Sequence, residues 1–178
     1  GKEAPMLFMG WRAEPSNSQQ IDTLEIVAQL LSNGQAGLFD LDLSQKMKVQ
    51  EIEAGVTDMN DYSVFYVYGQ SKSGQTLQEV RSLALDEIEK LKKGNFSDDL
   101  LPSIVNNYKR YYYKQLDNNQ FRAKQYVEAF INHKDWKKEV DKLNRISKLT
   151  KAEIVKFANQ FFRNDFACVY KEQGNDTT

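Results

Sequence analysis

The chain has 178 residues, 40% of them hydrophobic and 28% charged, with 24 Lys and Arg against 25 Asp and Glu. That is the composition of a folded domain of ordinary size, and its near-zero net charge supplies no global field to gather nucleic acid or an anionic membrane. It holds one histidine, His133, and one cysteine, Cys168, so an intrachain disulfide is excluded and any Ser/His or Cys/His catalytic pair would rest on His133 alone.

The run 6–13 (MLFMGWRA) reads as a strand that ends at the turn Glu14-Pro15-Ser16-Asn17-Ser18. Leu24, Val27, Ala28 and Leu31 recur at helical spacing and define one face of an amphipathic helix. Asn33-Gly34 stops that helix with residue types that tolerate a left-handed cap. Segment 36–47 carries Leu38, Phe39, Leu41 and Leu43 and is compatible with a second short helix or with extended chain, the helix being preferred. Segments 48–56 and 62–69 are expected as strands joined by the turn 57–61, an antiparallel hairpin. In the second of them Tyr62, Val64, Tyr66 and Tyr68 share one face while Phe65 and Val67 share the other. Both faces are apolar or aromatic, which predicts a central strand covered on both sides.

From Gln75 the pattern turns helical, with Leu77, Val80, Ala84, Ile88 and Leu91 in one stripe and the pairs Asp86–Lys90 and Glu89–Lys93 on the wet side. Gly94 ends this helix, and Ser97 is the expected N-cap of the next, whose apolar face runs through Leu101, Ile104, Val105, Tyr108 and Tyr112. Pro102 lies about one turn inside it, where it shifts the start or kinks the helix. A further helix is expected over 121–132 and a shorter one carrying Trp136, Val140 and Leu143. Thr150-Lys151-Ala152-Glu153 is a capping box, flanked by Leu149 and Ile154, and opens a helix with Ile154, Phe157, Ala158 and Phe161 on its buried face. Segment 166–170 closes as a strand, and 171–178 reads as a frayed tail. The order β-α-α-β-β-α-α-α-α-β gives an α+β class, an antiparallel-rich sheet against a layer of helices, in a single domain over 1–178 with its core in about 6–170.

Three stretches, in this order and spacing, resemble the insulinase/pitrilysin (inverzincin) zinc metallopeptidases, specifically the second domain of a half-enzyme. The first is Leu24-Glu25-Ile26-Val27-Ala28-Gln29-Leu30-Leu31-Ser32-Asn33-Gly34 running into Gly37-Leu38-Phe39. The second runs from Leu83-Ala84-Leu85-Asp86 through Lys93-Gly94-Asn95-Phe96-Ser97-Asp98-Asp99-Leu100, a helix, a glycine break and an acidic start to the next helix. The third is Leu149-Thr150-Lys151-Ala152-Glu153-Ile154. The resemblance covers roughly residues 6 to 170. It implies a parent zinc-dependent metalloendopeptidase whose H-x-x-E-H motif belongs to the preceding domain. That motif does not occur in this chain, and the stretch His133-Lys134-Asp135-Trp136-Lys137 has no metal-ligand spacing.

The resemblance therefore implies a domain with no catalytic residue and no metal ligand, with zinc held in the preceding domain. It would form a chamber wall and assist peptide substrate binding. Its partners would be the catalytic domain of the same polypeptide and peptide substrate. The positions at which the family offers Arg and Tyr to substrate are Ser44 and Gln50 here, and both departures count against direct contact with the scissile peptide, so no substrate-binding residue is assigned. A catalytically dead structural or assembly subunit is the alternative. A bacterial periplasm or cell-envelope setting is compatible with the resemblance, although nothing in the sequence fixes the compartment. No apolar run reaches the roughly 18–20 residues of a membrane span, and no signal peptide is recognised at the start.

Plainer roles suit the remaining conspicuous residues. His133 reads as a solvated helix-end histidine and Cys168 as a small buried hydrophobe. The basic and aromatic stretch 106–114 suggests base stacking, but one cluster without net positive charge is a poor footprint for nucleic acid, so a helix with Tyr108 and Tyr112 packed inward is preferred. Asp40-Leu41-Asp42 lacks the glycine and spacing of a calcium loop.

Overall fold

The computed structural model describes residues 4–174. Strands β1 (Met6–Ala13), β2 (Glu51–Thr57), β3 (Ser63–Gln70) and β4 (Ala167–Lys171) form one antiparallel sheet in the order β2-β3-β1-β4. The helices are α1 (Gln20–Leu31), α2 (Leu77–Lys92), α3 (Leu100–Leu116), α4 (Asn119–Ile131), α5 (Trp136–Val140), α6 (Lys142–Ser147) and α7 (Lys151–Phe161). The α+β class and the element order follow the sequence reading. The short helix expected around Trp136 is divided into α5 and α6 at Asp141. The first hairpin strand begins at Glu51 rather than Lys48, because 45–50 is taken up by turns and bends. Of the expected tail, 175–178 lies outside the described residues.

Strand alternation sorts side chains to two faces. Leu7, Met9, Trp11 and Ala13 of β1, with Phe65 and Val67 of β3, point inward and are buried. There they meet Leu24, Val27 and Leu31 of α1, Val80, Ala84 and Ile88 of α2, and Ile154 and Ala158 of α7. Each such side chain contributes about 1.5–3 kcal/mol by leaving water. Trp11 is the hub of the lower core. It packs edge-on to Phe65 and Phe162, lies 4.7 Å from Phe166, and donates its Nε1–H to the Arg163 carbonyl at 3.1 Å.

β3 is central, as its composition implies, but only one of its faces is covered. Val64, Tyr66, Tyr68 and Gln70 remain half-buried on the side away from the core. Their aromatic rings shield one another instead of a second helical layer: Phe8 stacks on Tyr66 at 5.3 Å, and Gly55 on β2 leaves room for the Tyr66 ring.

Local chemistry sets the helix boundaries. Capping boxes open both α2 (Thr76 with Glu79) and α7 (Thr150 with Glu153). Gly94 takes φ +71 just past the end of α2, where only glycine is unstrained. α3 starts at Leu100 with Asp99 at its N-cap, while the Ser97 hydroxyl accepts the Asp99 N–H at 3.3 Å in the turn before it. Pro102 is consequently the third helical residue, where a missing N–H costs no intrahelical bond, and the expected kink is not needed. Lys90 pairs with Glu87 at 2.8 Å and with Asp42 at 2.7 Å rather than with Asp86, because Asp42 brings a second carboxylate from outside the helix.

α1 is fixed to the later helices through a partly buried ion network. Arg145 donates to Asp22 at 2.6 Å, Lys142 lies 2.9 Å from Glu25, and the Tyr108 hydroxyl donates to Glu25 at 3.2 Å. Burial acts against the charge on Lys142, but Glu25, Tyr108 and Asp22 outweigh it and its pKa rises above the usual lysine value. Burial, reinforced by Glu25, pushes the Tyr108 phenol up to about 12.

Candidate functional site

The loop that follows α1 sets one end of the open sheet. Asn33 closes an Asx turn, its Oδ1 accepting from the backbone N–H of Gln35 at 3.0 Å and Ala36 at 2.9 Å. The buried Asp40 carboxylate reaches back and accepts the backbone N–H of Asn33 at 2.8 Å and of Gly37 at 2.9 Å. Gly37 is required here, since a Cβ would lie 2.5 Å from the Leu31 carbonyl.

The helix expected over 36–47 is present only as a short helical stretch, and Asp40–Ser44 within it is π-helical. Its bonds span five residues, from the Gln45 N–H to the Asp40 carbonyl at 2.8 Å and from the Lys48 N–H to the Leu43 carbonyl at 2.8 Å. A π turn carries one more residue than an α turn and shifts every later side chain around the axis. It brings Asp42 between Lys46 at 2.5 Å and Lys90 at 2.7 Å. The hydrogen bonds from Lys46 and Lys90 hold the Asp42 carboxyl at a pKa of about 2.

Ser44 is the last residue of this turn and Gln50 the last before β2. Both are exposed, and Gln50 extends the ladder by donating its N–H to the Gln70 carbonyl at 3.1 Å. They bracket the segment 45–49 that leads into β2. Neither Ser44 nor Gln50 carries charge, while Lys46 and Lys48 between them are exposed.

β2 lies at one edge of the sheet, paired on one side only with β3. Beside it the outer face of the sheet presents Tyr66, Tyr68, Phe8 and Val64. Register places Tyr68 between Glu53 and Phe8, and Tyr66 between Gly55 and Gly10. The Gln70 side-chain amide donates to the Tyr68 hydroxyl. Partial burial, and secondarily the Glu53 carboxylate, raises the Tyr66 pKa.

At the other end of the same sheet lies a cleft of about 810 Å³ lined by Trp11, Arg12, Tyr62, Phe157 and Phe161. The Arg12 guanidinium sits 4.8 Å over the Tyr62 ring, and Arg163 pairs with Asp165 at 2.7 Å on the rim. The sequence reading did not single out Arg12. Its place in the alternation of β1, opposite the buried Trp11 and Ala13, was the available signal.

Among the described residues no group of three or more His, Cys, Asp or Glu is placed to hold a metal ion. His133 is exposed just past α4, with a left-handed φ of 51°. Cys168 is a free thiol, half-buried in β4. Among the described residues no helix is long and apolar enough to cross a membrane.

With this architecture in place, the comparisons with known proteins converge. The profile of the peptidase M16 inactive domain matches residues 1–108, and the chain belongs to that family. The structure is similar to a protease from Helicobacter pylori, with a TM-score of 0.89 and 18% identity over 96% of this chain. This chain corresponds to only 41% of that protease. An inactive peptidase domain from Bordetella parapertussis matches over 100% of this chain and 97% of its own, with a TM-score of 0.85 and 13% identity. A peptidase M16 inactive domain from Pseudomonas fluorescens gives a TM-score of 0.80 at 11% identity, covering 96% of this chain and 41% of that one. No curated protein matches the chain. The resemblance to a non-catalytic metallopeptidase domain is thereby shown, with the first two of its sequence stretches inside the matched residues.

Proposed function

We propose that this chain serves as the non-catalytic domain of a zinc-dependent metalloendopeptidase, where it forms part of a chamber wall and assists in binding peptide substrate. Zinc, in this reading, belongs to the catalytic domain that precedes it in the same polypeptide. Its own donor set, one exposed histidine and one half-buried cysteine in different elements, does not fit a zinc site.

The observation that carries the reading is the pairing of an open β2 edge with an aromatic outer sheet face that, among the described residues, no helical layer covers. An edge strand offers backbone donors and acceptors to an extended peptide, and alternate side chains of that peptide fall onto the face beside it. Tyr66 and Tyr68 supply apolar area with a polar tip, suited to varied sequences. Family membership and the longer relatives, of which this chain matches about two fifths, support a companion domain.

An amide NMR titration of the labelled chain with an unfolded casein-derived peptide tests this. The expected result is saturable shifts concentrated in Glu51–Thr57, with line broadening of the Tyr66 and Tyr68 rings. Absence of shifts there at millimolar peptide would overturn substrate assistance and favour the catalytically dead structural subunit.

A further inference from the structure

The four helices α3 to α6 form an arm whose exposed surface differs in chemistry from the rest of the chain. Residues 100–148 contain eleven Lys and Arg and five Asp and Glu, although the whole chain has 24 and 25. The arm is therefore basic and the remainder acidic. The arm is anchored to the body through α1, where Lys142 and Arg145 are neutralised by Glu25 and Asp22. Lys109, Arg110, Lys114, Arg122, Lys137 and Lys138 lie elsewhere on it, and among the described residues no carboxylate pairs with them.

The arm also exposes apolar side chains that the helical pattern would ordinarily bury. α4 buries only Ala129, while Tyr126, Val127, Phe130 and Ile131 face solvent, Phe130 being 85% exposed. Between α3, α4, α5 and α6 runs a groove of about 600 Å³. Its walls are Tyr112, Leu116, Tyr126, Trp136, Val140 and Leu143, with Tyr126 stacked on Trp136 at 4.3 Å. Lys109 and Arg122 stand at its margin, and no Asp or Glu lines it.

An apolar groove with cationic margins and no anion selects one kind of occupant. We infer that this groove docks an acidic amphipathic segment of a partner protein. Aromatic or aliphatic side chains of that segment insert against Trp136, Val140 and Leu143, and its carboxylates meet Lys109 and Arg122. Arg122 and Lys109 form charge-assisted hydrogen bonds with carboxylates, and the stacked aromatic pair gives the rigid, low-entropy wall on which binding energy concentrates. A basic segment would be repelled by the same two side chains, so the charges set specificity as well as affinity. This surface is separate from the β2 edge and the outer sheet face, so the inference stands or falls independently of the peptidase reading.

Trp136 provides the readout, because it lies in the groove and is 39% exposed, whereas the other tryptophan, Trp11, is 2% exposed in the core. The whole chain is titrated with a synthetic helix-forming peptide carrying Leu and Phe on one face and Glu on the other, and with its counterpart in which every Glu is Lys. The expected result is a saturable change in Trp136 emission with the Glu peptide. It should bind at least about 10-fold more tightly than the Lys peptide, and weaken as salt rises. The double variant Lys109→Glu/Arg122→Glu changes only exposed or rim charges. It should keep the circular dichroism of the parent and reverse the preference toward the Lys peptide. Equal affinity for the two peptides, no saturable change, or a preference unaffected by the double variant overturns the inference. So does a poly-dT oligonucleotide that binds the groove more tightly than the Glu peptide. Sedimentation showing self-association abolished by the double variant would assign the groove to a second copy of this chain and overturn it as well.

Discussion

Replacing Asp40 by Ala tests whether one buried carboxylate holds the loop that leads into the open sheet edge. The side chain accepts two backbone N–H groups, from Asn33 at 2.8 Å and Gly37 at 2.9 Å, and is itself buried. Hydrogen bonds to a charged acceptor contribute about 1.5–3 kcal/mol each, and a buried donor left without a partner costs its desolvation. Two such donors give an expected loss of about 3–5 kcal/mol for Asp40→Ala. Asp40→Asn retains one acceptor oxygen of the same reach and should lose only about 1–2 kcal/mol. Urea unfolding followed by circular dichroism measures both, and amide exchange at Asn33 and Gly37 localises the effect. A loss under about 1 kcal/mol for Asp40→Ala, with exchange at these two amides unchanged, would refute the claim that this carboxylate organises the loop.

Thr150→Ala removes the hydroxyl that caps α7 and should cost about 1 kcal/mol, as should Thr76→Ala at α2, each read as a lower urea midpoint. The Asp42 carboxyl has its pKa lowered in the folded state to about 2 by Lys46 and Lys90. Its stabilising contribution is therefore full above the unfolded carboxylate pKa near 4 and lost as pH falls toward 2. Asp42→Asn should remove that part of the acid limb of a stability-against-pH curve, by no more than about 1 kcal/mol because the pair is solvent-screened. Gly55→Ala places a Cβ 2.5 Å from the Tyr66 hydroxyl oxygen and should displace the ring from β2, with a loss of about 1–2 kcal/mol that largely disappears in a Tyr66→Ala background. Tyr108→Phe removes the hydroxyl donated to Glu25 and should cost about 1 kcal/mol, while deleting from a spectrophotometric titration the tyrosine that ionises near pH 12.

The sheet strands, the capping box at Thr150 and the stripe of α2 were legible in the sequence because each depends on local periodicity or a local cap. The capping box at Thr76 is equally legible, from the spacing of Thr76 and Glu79. The π turn at Asp40–Ser44 was not legible: its extra residue breaks the helical period, and its stability comes from carboxylate bonds to Asn33 and Gly37 that no spacing rule announces. The half-open face of β3 was not legible, because aromatic residues look alike whether a helix or their own neighbours shield them. At α4 the periodicity correctly gave a helix but not its surroundings, since a stripe of Tyr126, Val127 and Phe130 does not say that, among the described residues, these side chains stay more than half exposed even with Tyr126 stacked on Trp136. For the candidate site, the positions Ser44 and Gln50 came from family resemblance, and Tyr66 and Tyr68, which shape the outer sheet face beside β2, were visible only as a strand face.

The strand order carries a consequence for synthesis. β1 is an interior strand, and one of its two neighbours is β4, the last of the four sheet strands in chain order. Met6 pairs with Lys171 and Gly10 with Ala167. On the ribosome the β2–β3 hairpin can form early and β1 can join it, but the second side of β1 stays bare until nearly the whole domain has emerged. During that interval Leu7, Phe8 and Met9 lie on an unprotected edge, the situation in which chains pair with one another instead of with themselves. The nascent domain thus needs either shelter at the exit tunnel or quick packing of α7, which delivers β4 to its place.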